Sequence, residues 1–283
     1  NGFDRDQYSF AYLFDHAFDD RWTVGSRARY TSMENDYQIA WGAGLQADQR
    51  TIDRFWFSGL PTLDILTVDN HVGTGFSTGV LDHEVLVGLD YQRHILDESW
   101  DYGTADPIDV FDPDYGGDPL NDPFFSVDTR REQDQVGLYL QDQIALDAWT
   151  LVLSGRRDWV DTETRNRISG TMTEQSTNAL SGRIGLVYES EGGLAPYASY
   201  SESFLPLLGT TASGEDFEPE TGQQYEVGVK YQPDAANSYV TLAAFDLRRQ
   251  NVLTPNPTDA TFQVQTGEIR SRLPRPAGRG GRV

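Results

Sequence analysis

The sequence predicts an all-β, antiparallel, up-and-down transmembrane β-barrel, present in part. Three observations carry that prediction. Apolar and polar residues alternate with period 2 in segment after segment. The connections between those segments are alternately short and long. The stretch GLYLQDQIALDAWTLVLSGRRDW (137–159) sets two one-sided strands back to back, with only Asp147 and Ala148 between them. A soluble sheet needs a second layer over such a face, whereas a bilayer covers it directly.

The composition is compatible. The 283 residues carry a net charge of −22 and a mean hydropathy of −0.53. No run reaches the roughly 18 apolar residues of a transmembrane helix. A barrel strand turns only every second residue to lipid, so a low mean hydropathy does not count against it. Aromatic residues make up 12% of the chain, with 14 Tyr, 14 Phe and 6 Trp against 2 Met, a mixture suited to strands and interfacial girdles. The acidity argues against nucleic acid as a partner. There is no Cys, hence no disulfide and no thiolate metal site. The opening NGFDRDQYSF has no Met, basic region or apolar region of a signal peptide, so the chain is expected to be internal to a longer protein.

About eleven strands are expected, each near the 9–11 residues that a tilted strand needs to cross a bilayer. The first lies near 7–15, where Tyr8, Phe10, Tyr12 and Phe14 share a face. The second, 21–35, sets Trp22, Val24, Ala28 and Tyr30 against Arg27 and Arg29. Leu66, Val68, Val72 and Phe76 mark 64–78; Val85, Val87, Leu89 and Tyr91 mark 83–96. The opening pair, 131–146 and 149–163, follows, then 179–190 with Leu180, Ile184 and Leu186 on one face, and 195–204. In 222–232, Tyr225, Val227, Val229 and Tyr231 alternate with Gln224, Glu226, Gly228 and Lys230. The last two are 238–250 and 262–272. The connections 16–20, 79–82, 147–148, 191–194 and 233–237 are short; 36–63, 97–130, 164–178, 205–221 and 251–261 are long. Outer-membrane barrels place short turns in the periplasm and long loops outside.

Across the 147–148 turn, Leu146 should pair with Trp149 and Leu140 with Gly155, all toward lipid. Gln141, Gln143, Ser154 and Arg156 then face the lumen. Asp142 falls on the lipid side, where a bulge near Gln141 would re-aim it. An odd strand count does not close a bacterial single-chain barrel, and an open sheet leaves two unpaired edges. Residues 273–283 concentrate Arg, Pro and Gly and break the alternation. No strand is expected there, but a disordered basic tail or the product of a shifted reading frame.

Several stretches resemble the barrel of TonB-dependent ferric-siderophore receptors of the ferrichrome, ferric coprogen and ferripyoverdine type. They are DRDQYSFAYLFDHAFDDRWTVGSRARY, LVGLDYQR, GLYLQDQIALDAWTLVLSGRRDW, GLAPYASYSESFLP, GEDFEPETGQQYEVGVKYQ, AAFDLRRQNVLTPNP and QTGEIRSR. The resemblance runs to Arg272; in the family the RSR is followed by Gly, and here by Leu273. It implies residues 1–272 as about half of a 22-stranded barrel, without the family's plug domain and TonB box. It implies the outer membrane of a Gram-negative bacterium, with lipid and lipopolysaccharide around the barrel. It implies uptake of a ferric siderophore, driven by the TonB–ExbB–ExbD complex through the plug. Iron would be cargo; no cofactor is expected. Another cargo (cobalamin or a glycan), a passive porin, or a soluble β-sandwich are the alternatives.

The candidate ligand contacts are the aromatics of the 97–130 connection: Trp100, Tyr102, Tyr115, Phe124 and Phe125. They either stack on a chelate or pack the connection onto its neighbours. The Asp-rich DPDYGGD lacks the spacing of a calcium loop. Arg27, Arg29 and Arg183 should point into the lumen, toward the plug, an anionic ligand's path, or Glu84, Asp90 and Glu226 on neighbouring strands. Arg157 should sit outward near the far rim, as an ordinary rim cation or a contact for lipopolysaccharide phosphate. His16, His71, His83 and His94 have no metal-ligand spacing, and His16 and His83 are expected in solvated turns. No G-x-S-x-G, P-loop or dinucleotide fingerprint is present, so no enzyme is expected.

Overall fold

A computed structural model describes residues 2–114, 120–207, 209, 211, 215–233, 238–257, 263–265 and 267–279. The strands are β1 (Gly2–Ala17), β2 (Trp22–Leu45), β3 (Thr51–Gly59), β4 (Thr62–Thr78), β5 (Leu81–Asp109), β6 (Leu120–Leu146) and β7 (Trp149–Asn166). They continue with β8 (Met172–Tyr188), β9 (Leu194–Leu205), β10 (Glu220–Tyr231), β11 (Tyr239–Gln250), β12 (Leu253–Pro255), β13 (Gln263–Gln265) and β14 (Glu268–Arg279). Twelve form one antiparallel sheet, while β12 and β13 make a separate ribbon. Setting aside β3, which pairs only with the far ends of β2 and β5, eleven strands follow one another as a meander. In the described residues β1 and β14 each pair on one side only, so the sheet is open.

Register shows how the two faces arise. Tyr12, Ala28, Val68, Tyr91, Val136 and Trp159 lie opposite one another across six strands. One residue along, the row reads Leu13, Arg27, Asp69, Asp90, Gly137 and Asp158. The side-chain period of 2 separates these rows onto opposite faces. The first face is apolar yet solvent-exposed: Phe10, Tyr12, Leu138, Leu140, Leu180 and Val227 are all open. On β6 it runs from Val136 to Leu146, ten steps in sequence. At about 3.3 Å per residue and a tilt of about 40°, that band is about 25 Å tall, the height of a barrel's lipid band. The other face carries the charges and lines the inside.

The 147–148 hairpin has the expected register, with Leu146 opposite Trp149 and Leu140 opposite Gly155. Asp147 makes the turn at φ 50°, a left-handed conformation that Asp tolerates. There is no bulge near Gln141, and Asp142 keeps its outward position opposite Leu153 and Val85. It is partnered instead. His83 Nδ1 lies 2.9 Å from Asp142 Oδ2, and its Nε2 lies 2.7 Å from Thr78 Oγ1. The His83 ring stacks on Phe76 at 4.9 Å. His83 is thus a packed strand residue, not a solvated turn residue. His16 likewise belongs to β1, between Phe14 and Phe18.

The long connections are shorter than expected. The 36–63 region holds the end of β2 and the whole of β3; 97–130 shrinks to 110–119; 164–178 shrinks to 167–171. These strands outlast the bilayer, where neither face need be apolar, so period-2 hydropathy fades while the ladder continues. The strand expected at 262–272 is divided between β13 and β14. Residues 273–279, expected to be strandless, continue β14 along β11, from Leu273 opposite Phe245 to Arg279 opposite Tyr239. Pro274 and Pro276 are two residues apart, so their missing N–H groups fall on the same side of an edge strand, where Pro is tolerated.

On the inner face, glycines make room for leaning neighbours. A Cβ on Gly25 would meet the His71 ring at 2.2 Å, and one on Gly88 the Tyr139 ring at 2.1 Å. One on Gly137 would meet the Arg156 guanidinium at 2.1 Å. Gly88→Ala should therefore lower the urea midpoint of the refolded protein, by about 1–3 kcal/mol of overpacking. Gly155→Ala, with open space at its Cβ, should leave the midpoint unchanged.

In the β2–β3 turn, Asp48 accepts hydrogen bonds from the Thr51 hydroxyl at 2.6 Å and from the backbone N–H of Thr51 and Arg50, each at 2.9 Å. These hold its carboxyl down at about 2. The turn keeps this support above the ordinary Asp range and loses it as pH falls toward about 2. A carbon-13 titration of the Asp48 carboxyl should place its midpoint there; a midpoint near 3.9 would contradict the contacts.

Candidate functional site

Above the lipid band the prolonged strands build an aromatic wall. Trp100 lies nine residues beyond Tyr91 on β5, about 20–25 Å further out along a tilted strand. Tyr37, Ile39 and Trp41 of β2, Phe57 of β3, and Trp100 and Tyr102 of β5 line a groove of about 520 Å³. Unbroken register places Tyr37 and Trp100 on the same face as Arg27 and Asp90, the inner one. Phe57 is the hub. Its ring centroid is 4.7 Å from Tyr102, 5.1 Å from Trp100 and 5.5 Å from Tyr37. Phe125 continues the cluster 6.1 Å from Tyr102, and Phe124 lies 6.0 Å from Phe55. Phe57 is buried while Phe55, Trp41, Phe124 and Phe125 are open. The structure thus brings Trp100, Tyr102, Phe124 and Phe125 together on strands rather than on a loop. Tyr115 lies outside the described residues.

Tyr37, Ile39, Trp41, Phe55 and Phe57 were absent from the sequence-based candidates because 36–63 reads as a loop. The signal was there in YQIAW and RFWFSG, two aromatic-rich runs flanking the turn residues ADQR. A site on paired strands starts out organised, which lowers the ordering cost of binding. A concave, largely apolar surface with polar Tyr and Trp edges is suited to a bulky organic ligand.

Below the groove the inner wall is a polar network. Arg156 of β7 reaches across Gly137 to Asp90, its NH2 lying 3.0 Å from Oδ1 with a second, closer contact from NH1 to Oδ2. It also bonds Asp158, Nε to Oδ2 at 2.9 Å and NH2 to Oδ1 at 2.6 Å. Both carboxylates are buried. Gln135 Nε2 donates to Asp158 at 2.8 Å. Alongside, the Tyr139 hydroxyl donates to Asp69 Oδ2 at 2.7 Å, and His71 Nδ1 meets Asp69 Oδ1 at 2.8 Å.

Arg27 and Arg29 do face inward, beside a cavity of about 430 Å³ that Leu13, Asp69, Gln92 and Arg156 also line. Arg183 faces inward further round the wall, near Tyr139, Gln141 and Ser201. Their expected pairing with Glu84, Asp90 and Glu226 is not formed. Asp90 is held by Arg156, which sits nearer because Gly137 clears its path. Glu226 accepts from Tyr197 and Gln224. Arg27 comes within 3.7 Å of Asp15 only, and Arg29 and Arg183 make no ion pair among the described residues. No group of three or more His, Cys, Asp or Glu among the described residues is placed to hold a metal ion.

Residues 1–272 match the family model "TonB dependent receptor-like, beta-barrel". The chain belongs to the TonB-dependent receptor β-barrel family. It is 33% identical over 279 residues to the ferrioxamine receptor of Yersinia enterocolitica, covering 96% of this chain and 39% of that one. It is 32% identical over 298 residues to the ferrichrome outer membrane transporter/phage receptor of Escherichia coli K12, covering 96% and 40%. The chain therefore spans about two fifths of the length of these curated relatives. The solved structure of the ferric-catecholate import receptor Fiu from E. coli K12 in its closed form superposes with a TM-score of 0.76 at 20% identity, over 95% of this chain and 44% of that chain. That likeness establishes the partial-barrel fold. The TonB-dependent receptor family is one of receptors and transporters, and its barrels lie in the outer membrane of Gram-negative bacteria.

In this receptor barrel the Arg156 knot ties β5, β6 and β7 together from the inside. Removing the cation leaves two buried carboxylates facing each other. Arg156→Ala should destabilise the refolded receptor by about 3–5 kcal/mol, read as a lower urea midpoint. The double variant Asp90→Asn with Asp158→Asn should recover part of that loss in the Arg156→Ala background.

Proposed function

We propose that this chain forms part of the barrel of an outer-membrane receptor that takes up a ferric siderophore in a TonB-dependent manner. The observation that supports it best is the aromatic groove on the inner face of the long-connection end, in a chain of this family. Its rings offer stacking surface to the organic shell of a chelate, and iron enters as cargo inside that shell. The partners in this reading are the ferric siderophore and the TonB–ExbB–ExbD complex, acting through the family's plug domain. The reading is one of transport, with no catalytic residue and no cofactor.

The test is uptake of radioactive iron by the host strain and by its deletion mutant. Ferrioxamine and ferrichrome, named for the two relatives, are the first chelates to try. Uptake of at least one iron chelate should depend on the gene and stop when the proton gradient is collapsed. Gene-dependent uptake that survives the collapse would mean a passive porin. Gene-dependent uptake of cobalamin or a glycan alone would mean another cargo. In the full receptor, Trp100→Ala should weaken chelate binding about tenfold, measured by quenching of intrinsic fluorescence, and leave the amount of folded receptor unchanged.

A further inference from the structure

The chain has 44 Asp and Glu against 22 Lys and Arg, so an arginine without a carboxylate needs a reason. On the outer face above the lipid band arginines are tied: Arg93 lies 2.6 Å from Glu132, Arg130 2.7 Å from Asp97 and Arg167 3.0 Å from Asp128. Inside, Arg156 holds two carboxylates. Four other inward arginines have no carboxylate at hydrogen-bonding distance among the described residues. Arg5 bonds the Gln7 side-chain oxygen at 3.1 Å and the Met33 sulfur. Arg131 stays 4.0 Å from Glu98, and its Nε is buried with no hydrogen-bond partner. Arg27 stays 3.7 Å from Asp15, and Arg29 makes no ion pair.

Register sets the four in descending order beneath the aromatic groove. Tyr37 and Trp100 share a row with Phe3 and Val127. Arg5, opposite Asn35, lies two residues below that row, and Arg131, opposite Leu96, lies four below. Arg29 and Arg27 lie eight and ten residues below Tyr37 on β2, where they open onto the cavity of about 430 Å³. From Tyr37 to Arg27 the series covers about 33 Å of strand. The carboxylates facing that cavity are already engaged, Asp90 by Arg156 and Asp69 by Tyr139 and His71. The acidity of the whole chain does not cancel this stripe, because the field inside a cleft is set by the charges that line it.

We propose that the cargo of this receptor is an anionic chelate, one whose ligand oxygens carry more negative charge than its metal neutralises, such as a carboxylate or catecholate chelate. Its organic shell stacks in the aromatic groove. Its excess charge is met by Arg5 and Arg131 below the groove and then by Arg29 and Arg27 at the cavity. The proposal rests on the uptake reading above and narrows it, since a neutral or cationic chelate gains nothing from four unmet guanidiniums.

The test uses the full-length receptor in its host, with the deletion strain as the blank. Radioactive iron is supplied as ferric citrate, a ferric tris-catecholate, ferrichrome, ferrioxamine B, and ferrioxamine B succinylated on its amine, which reverses its charge. The largest gene-dependent uptake should be of an anionic chelate. Arg29→Gln and Arg131→Gln should each weaken binding of that chelate about tenfold, and Arg29→Lys by no more than about threefold. Arg165→Gln, on the outer face 3.5 Å from Glu163, should bind as the wild type does. Largest uptake of ferrichrome or of unmodified ferrioxamine B would overturn the proposal. So would unchanged binding by both Gln variants; a lowered urea midpoint alongside would assign the arginines to acidic side chains of the same polypeptide. No gene-dependent uptake of any chelate would remove the uptake reading, and this proposal with it. If an arginine variant does not fold, the wild-type ranking of the five chelates still decides.

Discussion

Hydrocarbon offers no hydrogen bonds, and everything in this sheet follows from that. Every backbone N–H and C=O at membrane depth must be satisfied by a neighbouring strand. The ladders from β5 through β8 therefore run without a register shift across the whole lipid band. An unbroken ladder leaves no choice about parity. Once Tyr91 faces out, Asp90 and Gln92 face in, and so does every residue opposite them. The outer face has to be apolar, and the inner face is the only place where charge is cheap.

The same rule puts the aromatic groove and the Arg156 knot on one surface. Both are read from inward positions of the same strands, and β5 carries Asp90 below and Trp100 above on one continuous ladder. A ligand meeting Trp100 and Tyr102 therefore meets side chains whose backbone is braced by the wall beneath them. The glycines at 25, 88 and 137 serve that bracing, because each lets a large polar neighbour lie flat across the strand.

The transmembrane part could be read from the amino-acid order because lipid imposes a signal with a fixed period. Leu138 through Leu146 and Trp149 through Leu153 declare their face, their length and their turn. Beyond the lipid that demand ends. Strand β3 and the outer halves of β5 and β6 are held by the ladder and by ring contacts such as Phe57 with Tyr102, which leave no such period. Of the six residues that line the aromatic groove, the sequence therefore pointed to Trp100 and Tyr102 and hid the other four. The pairing of Arg156 with Asp90 was hidden for another reason. The two are 66 residues apart in sequence, and only the register across Gly137 brings them together. Asp142 was seen as misplaced, and it was, but the remedy came from a histidine on the adjacent strand and not from the backbone.

That remedy bears on how the chain enters the membrane. Asp142 alone on β6 would carry a naked carboxylate into hydrocarbon, and His83 alone on β5 an unmatched imidazole. Zipped together, with Thr78 and Phe76 of β4 behind them, the imidazole and one carboxylate oxygen satisfy each other. Strands β4, β5 and β6 accordingly depend on one another at this depth, since each supplies a group that the polar pair needs on the lipid side.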